Sequence, residues 1–131
     1  MQLNSLINSS VQIFENDVPL EQGTAAINIA FSDGTKLRAS YWRLIENDRQ
    51  AFSSFDHHQK YGLVAPIDAI KELQTWLNNK TIHKAAWDST TGDLTFHAHR
   101  NLILQVFNFT SYEVWEMRFT DRSVEYSNYA R

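Results

Sequence analysis

The sequence predicts an α+β domain in which an antiparallel β-meander sheet is combined with one main helix. Two hairpins with strict alternation of apolar and polar residues predict the sheet, because side chains along a strand point to its two faces in turn. A single stretch with apolar residues three and four positions apart predicts the helix. Aromatic residues make up 13% of the chain, against 4 glycines and 2 prolines, and this favours a sheet-rich core filled by aromatic rings.

The first half of the chain is predicted to contain three strands. Residues 11–14 form a short apolar strand candidate. Apolar residues alternate over 25–31, and the Ser-Asp-Gly sequence at 32–34 predicts a tight turn, since glycine tolerates the positive φ of such turns. The partner strand is predicted over 36–45, with a bulge or twist where two aromatic residues adjoin at 41–42.

The one helix is predicted over residues 66–78. Proline at position 66 suits a first helical turn, and asparagine at positions 78 and 79 is typical of a helix end. Apolar residues recur at helical spacing between them, with charged residues on the other face.

The second half is predicted to be strands throughout, over 82–87, 94–98, 102–106, 113–119 and 124–126. Its first hairpin repeats the alternation of the earlier one at an offset of 67 residues. We therefore interpret residues 1–131 as a single domain with an internal duplication, about 11–46 and 81–127.

Composition excludes several classes of function. The chain has 131 residues, no cysteine and a net charge of −3, so it lacks the basic field that nucleic-acid binding needs. No run approaches the ~20 apolar residues of a membrane helix, and the first residues do not form a signal peptide. There is no thiolate, no glycine-rich phosphate loop and no Gly-x-Ser-x-Gly motif. We therefore expect a cytoplasmic protein that is not an enzyme and binds no cofactor, no nucleic acid and no membrane.

The candidate binding residues lie in the stretch 47–65, which has no clean period. Long loops in small domains are often functional, and exposed aromatic side chains suit protein recognition. The predicted partner-binding residues are Phe52, Phe55, His57, His58 and Tyr61. In the alternative interpretation the phenylalanines pack on the core, and the partner meets the outer sheet face around Lys36, Arg38, His97 and His99.

His97 and His99 are also the one weak candidate for a metal site. Two residues apart on a strand, their Cβ atoms would lie roughly 6.5–7 Å apart, and two imidazoles at that distance could share a metal. Because few other strong ligands accompany them, surface histidines beside a turn are the favoured interpretation and no metal is expected.

A structural ion pair is predicted between Arg43 and Glu113. Glu113 shares strand parity with the apolar residues at 115, 117 and 119, and a carboxylate on a core face needs a partner. Arg43 falls on the apolar face of its own strand, and its guanidinium suits bidentate carboxylate binding.

Three segments carry a resemblance to a known group of proteins. They are Tyr41-Trp42-Arg43-Leu44, the stretch from Thr91 to Phe96 with Gly-Asp-Leu inside it, and residues 107–112 leading into Tyr112-Glu113-Val114-Trp115. The pattern resembles small bacterial immunity proteins of polymorphic or contact-dependent toxin systems. The resemblance implies a protein that binds and neutralises a cognate toxin domain by occlusion. The alternatives are a small ligand- or metal-binding domain and a structural module that forms a homodimer through an exposed sheet edge.

Overall fold

The computed structural model describes residues 1, 3–16, 25–110 and 112–127. Two five-stranded antiparallel sheets and one main helix make up this part of the chain, which confirms the predicted α+β class and its β-meanders. The strands are β1 (Val11–Glu15), β2 (Ile27–Phe31), β3 (Lys36–Ala39), β4 (Trp42–Glu46), β5 (Arg49–Ser53), β6 (Ile82–Trp87), β7 (Leu94–Ala98), β8 (Leu102–Val106), β9 (Trp115–Arg118) and β10 (Val124–Tyr126); the helix is α1 (Ala69–Leu77).

The two sheets enclose one core. Strand order is β1-β2-β3-β9-β10 in the first sheet and β5-β4-β8-β7-β6 in the second. The alternating apolar residues of both hairpins are buried as predicted and join a single cluster. Phe31 of β2 and Phe96 of β7 meet across the sheets with their ring centroids 5.6 Å apart. The aromatic filling expected from composition is therefore at the centre of the core.

The chain crosses between the sheets at two places that contact each other. The predicted strand over 36–45 is in fact two strands, β3 and β4, in different sheets, joined by Ser40 and Tyr41. The second crossing, residues 107–114, joins β8 to β9. The Ser40 amide donates to the Val114 carbonyl and the Phe107 amide to the Tyr41 carbonyl, each at 2.9 Å. Each sheet thus combines three strands of one half with a hairpin of the other.

The inner strands of the two halves correspond in register: β2 and β3 match β7 and β8, and β4 matches β9. Pairing of Ile29 with Leu37 in the first half matches pairing of Phe96 with Leu104 in the second, an offset of 67 residues. After the crossings the offset is 73 residues, as Trp42 and Trp115 show. Trp42 donates its indole N–H to the Ala25 carbonyl at 2.9 Å, and Trp115 donates to the Gly92 carbonyl at 2.8 Å.

The increase in offset locates an insertion. β7 and β8 differ from β2 and β3 by 67 positions, and β9 differs from β4 by 73, so the second crossing carries six more residues than the first. In the first half only Ser40 and Tyr41 lie between the strands. Because of the six extra residues, the second crossing is long enough to form an exposed segment, which the first crossing lacks.

The helix begins later than predicted. It spans Ala69–Leu77, and the side chain of Asp68 accepts the Lys71 amide at 3.0 Å as an N-cap. An aspartate in this position satisfies an amide that has no partner within the helix, so the chain becomes helical only after Asp68 and Pro66 lies before the helix. The predicted apolar stripe is buried at Ile70, Leu73 and Leu77.

The end of the helix covers the free edge of β1. The Gln74 side chain donates to the Ile13 carbonyl at 3.0 Å, and the Ile13 amide donates to Asn78 Oδ1 at 2.7 Å. The Asn79 amide donates to the Val11 carbonyl at 2.8 Å. Two polar side chains and one backbone amide thereby bond to β1 groups that would otherwise be open to another strand. No helix in the described ranges is long and apolar enough to cross a bilayer.

Candidate functional site

An exposed cluster of aromatic rings lies where the two crossings meet. We define the aromatic surface as Tyr41, Phe55, Phe107 and Phe109. Ring centroids lie 4.6 Å apart for Tyr41 and Phe109, 5.6 Å for Tyr41 and Phe55, and 6.1 Å for Phe55 and Phe109. Phe55 and Phe109 are each 57% exposed. The rings pack on one another, and those of Phe55 and Phe109 remain more than half exposed.

Phe55 is held by a capped turn. β5 runs into a short 3₁₀ turn, Ser54–Asp56. Ser53 Oγ accepts the Phe55 amide at 3.2 Å, and Asp56 Oδ2 accepts the Ser53 amide at 2.8 Å. This reciprocal capping box fixes the first turn of a helix. The exposed ring of Phe55 therefore extends from an ordered backbone.

Phe109 is held by its neighbour Asn108 in the inserted crossing. The Asn108 amide donates to Asp93 Oδ1 at 2.7 Å, and its side chain donates to the Thr91 carbonyl at 2.9 Å. Gly92 has a φ of +84°, and a Cβ there would collide with the Asn108 amide group. The turn before β7 thus needs glycine to receive Asn108, and Asn108 in turn fixes the base of Phe109.

A cleft of about 360 Å³ opens beside Phe55, and His57 forms part of its wall. The His57 side chain is 12% exposed, and its ring stacks on His58 with centroids 3.8 Å apart. Its Nδ1 accepts the Ala69 amide at 3.0 Å, which requires that nitrogen to be unprotonated. His57 therefore links the site to the first turn of α1.

Burial and the neighbouring His58 lower the pKa of His57 below its ordinary value, and they outweigh the opposing charges of Asp68 and Glu15. Burial, Lys84 and His83 likewise lower the pKa of His97 on β7. The unfolded chain therefore binds more protons than the folded protein below the ordinary histidine value of about 6.5. The stability that the neutral forms of His57 and His97 provide is therefore complete above a pH of about 6.5. It is lost as the pH falls through the lowered pKa values of the folded protein.

We expect the free energy of unfolding, measured by denaturant titration, to fall between about pH 7 and about pH 5. His57→Gln should flatten this dependence, because glutamine can still accept the Ala69 amide but does not titrate. His99→Gln, an exposed position in the turn after β7, is the matched control. An unchanged slope in His57→Gln would contradict the role of the half-buried His57 imidazole.

The predicted partner-binding residues divide into two groups. Phe55, His58 and Tyr61 are exposed, and the Tyr61 hydroxyl donates to Asp56 Oδ1 at 2.9 Å. Phe52 is half-buried and packs edge-on against Trp42 with ring centroids 6.0 Å apart. β5 turns the Phe52 side chain toward the core, as the alternative interpretation expects for this residue.

Phe109 and Tyr112, which are 57% and 74% exposed, are not among the residues that the sequence predicts to bind the partner. Both lie in the inserted crossing. The signal that could have found them is the change of offset between the halves, since inserted residues are not needed to complete the sheets.

The predicted pair of Arg43 and Glu113 is wrong. Glu113 is exposed and lies before β9, so strand parity does not apply to it. Arg43 instead donates to Gln105 Oε1 at 2.6 Å and to Gln50 Oε1 at 3.1 Å, with its guanidinium 5.1 Å from the Phe107 ring centroid. The 3–5 kcal/mol typical of breaking a buried ion pair therefore does not apply to Arg43.

The histidines of the weak metal alternative remain separate from other ligands. His97 is half-buried on β7 and His99 is exposed in the following turn. The His97 ring lies 6.2 Å from that of His83. In the part of the chain that the structure describes, no three His, Cys, Asp or Glu side chains are grouped so as to hold a metal ion.

Comparison with family models, with curated proteins and with solved structures finds no match for the chain. The interpretation of the site therefore depends on its geometry.

Proposed function

We propose that this protein is a protein-binding module that recognises its partner through the aromatic surface. The observation that carries the proposal is the stack of Tyr41, Phe55 and Phe109 with two of its rings more than half exposed. Aromatic side chains held in place before binding lose little conformational entropy on association and dominate interface energetics. Capped and pinned backbones beneath Phe55 and Phe109 support this interpretation.

Charge around the cleft favours a basic partner surface. Glu15 lines the cleft, and the carboxylates of Asp56 and Asp68 lie beside His57 and Tyr61. Two further acidic residues, Asp17 and Glu21, follow Glu15 in the sequence and lie outside the described residues. Complementary charge mainly raises the association rate and selects among partners, so we assign the acidic rim to guidance and the aromatic rings to affinity.

The finer proposal follows the resemblance stated above. We propose a cytoplasmic immunity-type protein that neutralises a cognate toxin domain by covering its working surface, with no catalysis and no cofactor of its own. A stable complex of this kind buries on the order of 1,600 Å². The aromatic surface and the adjoining cleft would form the centre of such an interface.

Co-expression tests this function. Cells that produce the toxin domain encoded next to this gene should grow when the chain is co-expressed, and the purified proteins should form a stable complex. A chain with Phe55 and Phe109 both replaced by alanine should give neither protection nor a complex at the same protein level. Protection without a complex, or no protection by the wild-type chain, would contradict the immunity role.

A further inference from the structure

A second recessed surface lies on the outer face of the first sheet, away from its core side. It is a groove of about 400 Å³. Strand register places Phe14, Asn28, Arg38 and Glu116 side by side in one row across four strands. The next row contains Ala30, Lys36 and Arg118, and all seven residues line the groove.

Glu116 is the unusual member of this face. Its side chain is 7% exposed although it belongs to the outer face of β9. Oε2 lies 3.1 Å from Arg38 Nη2, and Oε1 lies 2.7 Å from Arg118 Nη2. This buried carboxylate thus lies within ion-pair distance of two guanidinium groups, although its Oε1 makes no hydrogen bond to the described residues. Each guanidinium has five N–H donors and can still bind a further oxyanion.

The arrangement costs stability that folding does not require. The Arg38 Nε–H is buried and has no acceptor among the described residues, and buried ion pairs are frequently no more stable than apolar packing. The second sheet provides an internal comparison, since Gln105 and Arg43 correspond to Arg38 and Glu116. In the second sheet the paired residues at this register are Arg43 and the neutral Gln105, and Arg43 Nε donates to Gln105 Oε1 at 2.6 Å. The backbone therefore accepts this position without a buried carboxylate.

We propose that this groove binds a small organic anion, a phosphate monoester or a carboxylate that carries an apolar group. Lys36, Arg38 and Arg118 against Glu116 give the groove a net charge of +2 in a chain of net charge −3. Phe14, 53% exposed, stands two strands from Arg38, about 10 Å away at the usual strand spacing. The oxyanion would bind the guanidinium groups and the apolar group would lie against the Phe14 ring. The proposal is independent of the aromatic surface.

Titration of the ¹⁵N-labelled protein with phenyl phosphate, benzoate and inorganic phosphate tests this site. We expect saturable shifts at the amides of residues 14, 28, 38 and 116, and tighter binding of phenyl phosphate than of inorganic phosphate. Comparison of phenyl phosphate with benzoate distinguishes a phosphate site from a carboxylate site. Shifts that do not saturate at millimolar ligand, or that lie elsewhere, would overturn the proposal.

Three variants complete the experiment. Arg118→Gln removes an exposed cation while leaving Glu116 its contact with Arg38, and should weaken phenyl phosphate binding at least tenfold. Phe14→Ala should abolish the preference for phenyl phosphate over inorganic phosphate. Arg49 is an exposed arginine of β5 in the other sheet. Arg49→Gln should change neither the affinity for phenyl phosphate nor the preference over inorganic phosphate. Equal weakening by Arg118→Gln and Arg49→Gln would show only a response to net charge and would reject the site.

Discussion

Replacing Phe55 and Phe109 together by alanine is expected to weaken partner binding by at least about 2 kcal/mol, roughly thirtyfold, the magnitude of an interface hot spot. Both rings are more than half exposed and contact each other and Tyr41. They contribute area to an interface but little to the core. Titration calorimetry with the proposed toxin partner measures the loss, and thermal unfolding shows whether the fold is kept.

Two control variants separate binding from stability. Phe14→Ala removes a ring of similar exposure from the outer face of the first sheet and should leave partner affinity unchanged. Phe52→Ala removes a half-buried ring that packs on Trp42 and should lower stability more than affinity. If the Phe55/Phe109 double variant binds normally but melts at a lower temperature, the rings belong to the core and the partner contacts another face.

Replacing either buried tryptophan, Trp42 or Trp115, by alanine is expected to lower the free energy of unfolding by about 3–5 kcal/mol. Their exposed fractions are 0% and 1%. Each indole also donates to the carbonyl two residues before a hairpin, Ala25 in one half and Gly92 in the other. The substitution leaves a cavity and a buried acceptor without its donor, and both effects destabilise the fold.

Because Trp42 and Trp115 have equivalent geometry, we expect matching substitutions at the two positions to lower the free energy of unfolding by similar amounts. Trp42→Phe and Trp115→Phe keep most of the ring and remove the N–H, so each should cost about 1–3 kcal/mol, the penalty for a buried unsatisfied group. Denaturant unfolding of all four variants provides the comparison. If alanine lowered the free energy of unfolding at one tryptophan position and not at the other, the two halves would match in structure but not in their contribution to stability.

Local patterns predicted the strands because each strand buries one face. The alternation over 25–31 and 94–98 appears as β2 and β7, and the predicted bounds of β6, β7 and β8 agree with the structure. The prediction of one strand over 36–45 was wrong at its centre, because the chain passes from one sheet to the other at Ser40 and Tyr41. Alternation of apolar residues does not reveal such a passage. Glu113 was misplaced for a related reason, since parity extended backward from Trp115 assumes a strand that has not yet begun.

The candidate site was only partly predictable. The loop that holds Phe55 was identified from its length and its aromatic residues. Its partner Phe109 arrives from a distant part of the sequence because the two crossings pair through Tyr41 and Phe107. The contact between Phe55 and Phe109 forms because each half contributes a hairpin to the other half's sheet. Local alternation of apolar residues does not predict this long-range arrangement. The gene duplication that would explain the matching halves stays a prediction.

We propose that the partner binds at the aromatic surface. Amide hydrogen exchange of this protein, alone and in complex with the proposed toxin partner, tests this proposal, since amides buried in an interface exchange more slowly. We expect protection to be centred on residues 55–61 and 107–112. Protection centred on the outer face of the first sheet, at Lys36 and Arg38, with exchange at Phe55 and Phe109 unchanged, would contradict it.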